Sequence, residues 1–280
     1  MIPVEAADDP RLEPYRFLRE RDLAGRRGTF IAEGEVVLRV LLSGRSRFAP
    51  DSLLLSETRA RRLEPVLATV AVGVPIYVAQ DAVLEAVAGF PVHRGVLALG
   101  RRGGTPTAPT LLSALSGGVG LASPRPALAL GLLGLANHDN VGGAFRNAAA
   151  FGADAVLLDG RSCDPLYRKA IRVSVGAALV VPFARGGTPV EVADALAAAG
   201  FVVLALSPGG DEPLEAVRWP HRAALLVGSE GEGLPASLLR RLRTVRIPMA
   251  PGFDSLNVAT ASGIALAAAF ASRTLGDGPA

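Results

Sequence analysis

From residue 127 to residue 273, short apolar runs alternate with segments of helical periodicity, and no other feature constrains the fold as tightly. Strands are expected at Ala127–Leu135, Ala155–Leu158, Ala178–Pro182, Phe201–Leu206, Ala223–Val227 and Val245–Ile247. Helices are expected at Gly143–Phe151, Pro165–Val173, Val190–Ala199, Pro235–Arg241 and Val258–Ser272. Strands separated by helices imply a parallel sheet covered on both faces, a doubly wound α/β domain. Residues 10–102 alternate on a smaller scale. They read as helical at Pro10–Leu23, Glu33–Leu42, Glu57–Leu67 and Asp81–Val87, and as strands at Thr29–Ala32, Leu53–Ser56, Ile76–Ala79 and Gly95–Leu99. That order makes a second, smaller α/β domain. Gly, Pro, Ser and Thr concentrate between the two, as in a linker, with one helical turn expected at Leu111–Leu115. The expected division is 1–103, a linker at 104–126, and 127–280.

Half of the 280 residues are hydrophobic and 20% are charged, which excludes a disordered chain. Gly, Pro or charge interrupts each long apolar run, so none reads as a membrane span. Met1 to Pro14 is acidic and contains proline, unlike a secretory signal, and a cytoplasmic protein is expected. Cys163 is the sole cysteine, and His93, His138 and His221 are widely scattered. No internal disulfide and no metal-ligand spacing follow from them. The net charge is only +3, but the pI is about 9.6 and Lys169 is the one lysine among 29 basic residues. Arginine suits phosphate and base contacts. A GC-rich genome would produce the same bias, so the charge supports an RNA partner without establishing one.

Three strand–loop–helix units carry polar residues at the point where α/β proteins place ligands. The first, residues 135–154, holds Asn140 and Arg146. Arg146 lies in a helix of otherwise small or apolar residues, so packing on most faces is expected. A guanidinium there must reach an anion or a wet pocket, or form a buried ion pair with Glu230 or Asp154. Asn140 is placed at the helix entrance, where it would serve as an N-cap as well as a substrate contact. The second unit contains Gly-Ser-Glu-Gly-Glu-Gly-Leu, residues 228–234. It lacks the Lys-Ser/Thr of a phosphate loop and the glycine spacing of a dinucleotide site. Its glycines instead permit close approach of main chain to a ligand. In the third, a β-type run (Val245 to Met249) enters a loop with Pro248, Pro251 and Gly252. That loop presents Asp254, Ser255 and Asn257 ahead of an Ala-rich helix.

Taken in order, these units resemble motifs one, two and three of the SpoU (TrmH-type) branch of the SPOUT RNA methyltransferases, over about residues 127–273. The matching residues are Asn140 and Arg146, then Gly228, Glu230 and Gly233, then Pro248, Ser255 and Asn257. Residues 163–177 resemble the family's segment between motifs one and two. The runs at 30–35 and 93–98 are similar to the N-terminal RNA-binding domain of many members.

The resemblance implies a trefoil knot in the C-terminal domain, which periodicity does not suggest. It implies an S-adenosyl-L-methionine-dependent ribose 2′-O-methyltransferase working as a homodimer on RNA. Large-subunit (23S) rRNA is favoured as substrate, because an appended N-terminal domain is more typical of rRNA members; tRNA is the alternative. Asn140, Arg146, Glu230, Ser255 and Asn257 become the expected catalytic set, and Leu226, Gly228, Ile247, Met249 and Leu256 the expected cofactor contacts. The family account gives Arg146 the task of activating the hydroxyl, although an arginine is almost never deprotonated. Glu232 stands where relatives often carry a basic or neutral residue. A noncatalytic RNA-binding protein of the same fold would be expected to lack Arg146 or Asn257, and both are present. An oxidoreductase would need a glycine fingerprint that 137–143 does not supply.

Overall fold

The strands form two sheets, and every pairing in the larger one is parallel. The computed structural model describes residues 1–16, 28–89, 95–115 and 125–276. The chain divides into two compact units, Met1–Gly104 with Leu166–Val180, and Thr105–Pro165 with Val181–Ala280.

In the first unit, β1 (Ile2–Val4), β2 (Thr29–Glu33), β3 (Pro50–Ser56), β4 (Ile76–Ala79) and β5 (Val96–Arg101) lie in the order β1-β4-β3-β5-β2. β5 runs antiparallel to both of its neighbours. Phe30 on β2 faces Gly100 on β5, where a Cβ would stand 2.2 Å from the phenyl ring; the glycine leaves room for the ring. The helix expected at Pro10–Leu23 is a 3-10 helix over Pro10–Tyr15, and residues 17–23 lie outside the described residues. The helix expected at Glu57–Leu67 is two helices, Glu57–Arg62 and Glu64–Leu67. Pro65 has no N–H to continue the first, yet suits the opening turn of the second.

Residues 166–180 group with this unit rather than with the segments on either side of them in sequence. The helix Arg168–Val173 packs on β2. The buried Glu33 of that strand pairs with Arg168 and, at 3.7 Å, with Arg172. The strand expected at Ala178–Pro182 is absent. Val175 and Gly176 have positive φ, and the Ser174 hydroxyl accepts from the Ala178 N–H at 3.2 Å. These turn the chain into a short 3-10 segment, Ala177–Leu179, and the strand forms beyond Pro182 instead.

The second unit holds β6 (Ala127–Leu132), β7 (Ala155–Leu158), β8 (Phe183–Arg185), β9 (Val202–Leu206), β10 (Glu212–Pro213), β11 (Arg222–Val227) and β12 (Arg243–Arg246). Their order is β10-β12-β9-β11-β6-β7-β8, so the winding reverses at β6. Every residue of β6 and β11 is buried, as two covered faces demand. One face packs against the helices Ala108–Ala114 and Pro189–Ala198 through Leu111, Leu112, Val192 and Leu196. The expected linker therefore contributes core. Three leucines within five residues can be buried only by packing, and Leu111, Leu112 and Leu115 do so. On the other face, Phe145 meets Phe183 edge to face at 5.7 Å.

Candidate active site

Four parallel strands, β6, β9, β11 and β12, end side by side and send out the loops that carry the polar residues. The helix after β6 runs from His138 to Ala150, five residues longer at its start than the spacing suggests. Its cap is Asn137, whose side-chain oxygen accepts from the Asp139 N–H at 2.8 Å. Asn140 is thus inside the helix, buried, and not the cap. Its Oδ1 accepts from Nδ2 of Asn257 at 2.9 Å, across 117 residues of sequence. Asn257 also caps the helix Val258–Gly276, its Oδ1 accepting from the N–H groups of Ala259 (3.0 Å) and Thr260 (3.2 Å).

The two helices cross closely. A Cβ on Gly143 would lie 2.7 Å from that of Ala259, and Asn147 donates to the Ala259 carbonyl at 2.6 Å. A missing side chain at Gly143 admits the neighbouring helix, and the Asn147 amide binds its backbone across the crossing.

Arg146 contradicts the expectation of burial. It is exposed and makes no ion pair with Glu230 or Asp154. Val141, Ala144, Phe145 and Ala148 bury the opposite side of the helix, and Arg146 falls on the side nothing covers. Asp154 is engaged elsewhere. It pairs with Arg125 at 3.0 Å and with Arg273 at 3.9 Å, and accepts from the Leu128 N–H. Arg146 therefore carries a solvated charge with no burial penalty.

A cleft of about 410 Å³ opens at the ends of β9, β11 and β12. Gly228, Glu230, Ile247, Met249, Ser255 and Leu256 line it, which brings together six of the ten residues expected at the site. Gly228 is forced by its surroundings, since a Cβ there would lie 2.1 Å from the carbonyl carbon of Gly233. Gly233 has φ +67°, and its N–H donates to the Ser229 carbonyl at 3.0 Å, closing the loop on itself. The glycines thus fold the loop tightly before any ligand is considered. Glu230 and Ser255 are exposed, and Ser255 Oγ lies 3.4 Å from an Asp254 oxygen. Glu232 lies 3.9 Å from Arg161 with both side chains largely in water, a pair of little energetic weight.

Leu226 does not join the residues lining the cleft. It is fully buried in the sheet core, with Cδ2 2.3 Å from where a Cβ on Gly131 would stand. Strand alternation turns it away from the cleft, which its neighbour Val227 lines instead. Sequence reasoning also missed Leu206, Ser207 and Pro208, which line the cleft from the end of β9. The signal was present as an apolar strand running into Ser-Pro-Gly-Gly.

A parallel sheet with a half-apolar cleft at its strand ends, beside an amide pair that joins a helix to a loop, has the form of an α/β enzyme that binds a small molecule. Residues 127–267 match the SpoU rRNA Methylase family, and the chain belongs to that family. A Mycobacterium bovis protein described as an uncharacterized tRNA/rRNA methyltransferase is 42% identical over 92% of this chain and 88% of its own length. An AdoMet-bound rRNA methyltransferase from Sinorhizobium meliloti is similar in structure, with TM-score 0.78 and 25% identity over 95% of this chain and 96% of that one. An RNA 2′-O ribose methyltransferase is also similar, with TM-score 0.73 and 26% identity over 98% and 100% of the two chains.

Proposed function

We propose that this chain methylates a ribose 2′-hydroxyl of structured RNA with S-adenosyl-L-methionine as donor, and that 23S rRNA is its substrate, with tRNA the alternative. The observation that carries the reading is the Asn140–Asn257 hydrogen bond, which locks the first and third motifs together beside the cleft. The cleft fits the cofactor. Its volume suits a ligand of that size, Ile247, Met249 and Leu256 offer apolar surface to an adenosine, and the loop at 228–234 offers backbone groups. When bound, the cofactor supplies a methyl group made electrophilic by its sulfonium.

The protein's own task is positioning and charge stabilisation. The Arg146 guanidinium, exposed and without an ion-pair partner among the described residues, is available to an RNA phosphate or to the oxyanion developing on the ribose. Glu230 and Ser255 face the cleft as polar contacts. Asn257 fixes the start of the last helix and holds Asn140.

The same reading gives the second unit the family's trefoil knot, the N-terminal unit the task of RNA capture, and the protein a place in the cytoplasm. No helix among the described residues is long and apolar enough to cross a membrane. It also pairs the chain with a second copy. Ile264 and Phe270 are 40% and 43% exposed on the last helix, and Phe270 stacks obliquely on Phe151 at 6.3 Å, an apolar surface suited to a partner.

Radiolabel transfer from S-adenosylmethionine to total RNA, followed by mapping of 2′-O-methyl positions, tests the activity. Label recovered on bases rather than riboses would overturn the ribose assignment. RNA capture is better tested in the full chain than by truncation, because residues 166–180 belong to the N-terminal unit. This reading assigns phosphate contacts to the adjacent pairs Arg26-Arg27, Arg61-Arg62 and Arg101-Arg102; the first lies outside the described residues, while Arg61 faces Glu57 at 3.6 Å and Arg101 binds Asp51 at 2.8 Å.

A further inference from the structure

Beneath the loop that launches the first helix lies a buried carboxylate with no assigned role. Asp159 follows β7 and is fully buried. Its Oδ1 accepts from the Gly134 N–H at 3.0 Å and the Ser162 N–H at 2.9 Å, and lies 2.6 Å from Ser162 Oγ. Ser162 Oγ in turn accepts from the Leu135 N–H at 3.0 Å and lies 3.0 Å from the Leu132 carbonyl. The Cys163 N–H donates to the Leu135 carbonyl at 2.8 Å. Leu133 N–H still pairs with the Val227 carbonyl at 3.0 Å, but Gly134 and Leu135 beyond it are taken by side chains from another loop. Three residues later the helix begins.

Two further observations separate this from ordinary loop support. Asp159 Oδ2 is buried without a hydrogen-bond partner, and the carboxylate makes no ion pair among the described residues, although Arg161 lines the same cavity. Burying an unpaired carboxylate oxygen is unfavourable, so this acceptor is kept at a cost in stability. Asp159 also lines a cavity of about 270 Å³ shared with Gly134, Ser229 and Gly233, so the first and second motif loops meet over it. We propose that Asp159, acting through Ser162, is a positioning residue for methyl transfer. It sets the launch loop, and thereby the placement of Asn140 and Arg146 relative to the cofactor loop. The proposal rests on the site reading above.

Three variants of the full chain, Asp159→Ala, Asp159→Asn and Arg146→Ala, test it on ribosomal RNA from cells lacking the protein. Single-turnover transfer, S-adenosylmethionine affinity by calorimetry and amide exchange are measured where each variant is folded. Asp159→Ala should slow transfer by about 10- to 100-fold, the scale of a small misplacement. Its cofactor affinity should stay within roughly threefold, because the loss falls on the reacting geometry and not on ground-state binding. Amide exchange should rise in peptides spanning 133–140 and not in 247–257. Asp159→Asn keeps an acceptor for Gly134 and Ser162 and should recover most of the rate. A folded Asp159→Ala with near wild-type transfer, or one whose cofactor affinity falls as far as its rate, would overturn the proposal. Normal transfer by Arg146→Ala would instead overturn the site reading.

Discussion

The loop at 133–137 and the loop at 250–257 both lead into helices of the proposed site, and they are built in opposite ways. In the first, Leu133 and Leu135 are buried and side chains from the 159–163 loop hold the backbone. In the second, every residue is exposed, and the anchors are one turn, Phe253 N–H to the Ala250 carbonyl at 3.2 Å, and the cap at Asn257. A site needs one rigid wall to set the reacting geometry and one approachable wall to admit and release ligands. The two loops divide those tasks. Asn140 and Asn257, one from each side, are where the walls meet.

The sharpest way to break this division is at the rigid wall. Arg146→Ala should lower methyl transfer by about 100-fold or more, the scale of losing one preorganised charge-stabilising group, while S-adenosylmethionine still binds. Single-turnover kinetics beside calorimetry check this; near wild-type turnover would remove Arg146 from the mechanism. Gly228→Ala should have the next largest effect. The new Cβ would meet backbone of Gly233 and Leu234, which cannot rotate away, so the loop must shift and cofactor affinity should fall by about tenfold, roughly 1.4 kcal/mol. Unchanged affinity would mean that the cofactor does not rely on this loop.

Much of this division was legible in the sequence, because local patterns report local structure. The alternation of apolar runs and helices implied the parallel sheet, and Gly228, Ile247, Met249 and Leu256, named from the motifs, line one cleft. The failures share one cause, in that a pattern says a face is apolar or small but not what covers it. Arg146 sits among small residues that read as buried, yet its side of the helix is open within the single chain. Leu226 reads as a cofactor contact from its motif, while strand alternation turns its side chain into the core and hands the cleft surface to Val227. Ala178–Pro182 reads as a strand because Leu-Val-Val does, while Ser174 and Gly176 had already committed the backbone to a turn. The Asn140–Asn257 bond and the Asp159 network span distant sequence, and no local pattern encodes them.

Asn257→Ala tests the meeting point. Removing the cap should destabilise the protein by about 1 kcal/mol, with a further loss in transfer because Asn140 loses its one hydrogen-bond partner in the loop. Thermal unfolding and kinetics on the same preparation separate the two. Asn257→Ser retains a capping oxygen but is too short to hold Asn140, so it should recover stability more than rate. Equal recovery of both would reduce Asn257 to a cap.

The smallest effect on activity is expected at Cys163, whose backbone N–H is part of the rigid wall. Burial, with the charge of Asp164 adding to it, pushes the thiol up to about 11. The stability this lends is complete below the ordinary thiol value of 9.0 and is lost as pH rises toward about 11. At pH 8 the thiolate fraction is then on the order of one-hundredth of that in an unfolded chain, and alkylation should slow in proportion. Cys163→Ala should leave turnover within about twofold, since no catalytic contact passes through the sulfur. Alkylation therefore reports on the wall without disturbing the reaction. Asp159→Ala should label faster than wild type at pH 8, while Leu256→Ala, altered in the exposed loop, should label at the wild-type rate. Fast labelling of the wild-type protein at that pH would mean that the 159–163 loop opens readily, and the contrast between a held loop and an exposed one would fail.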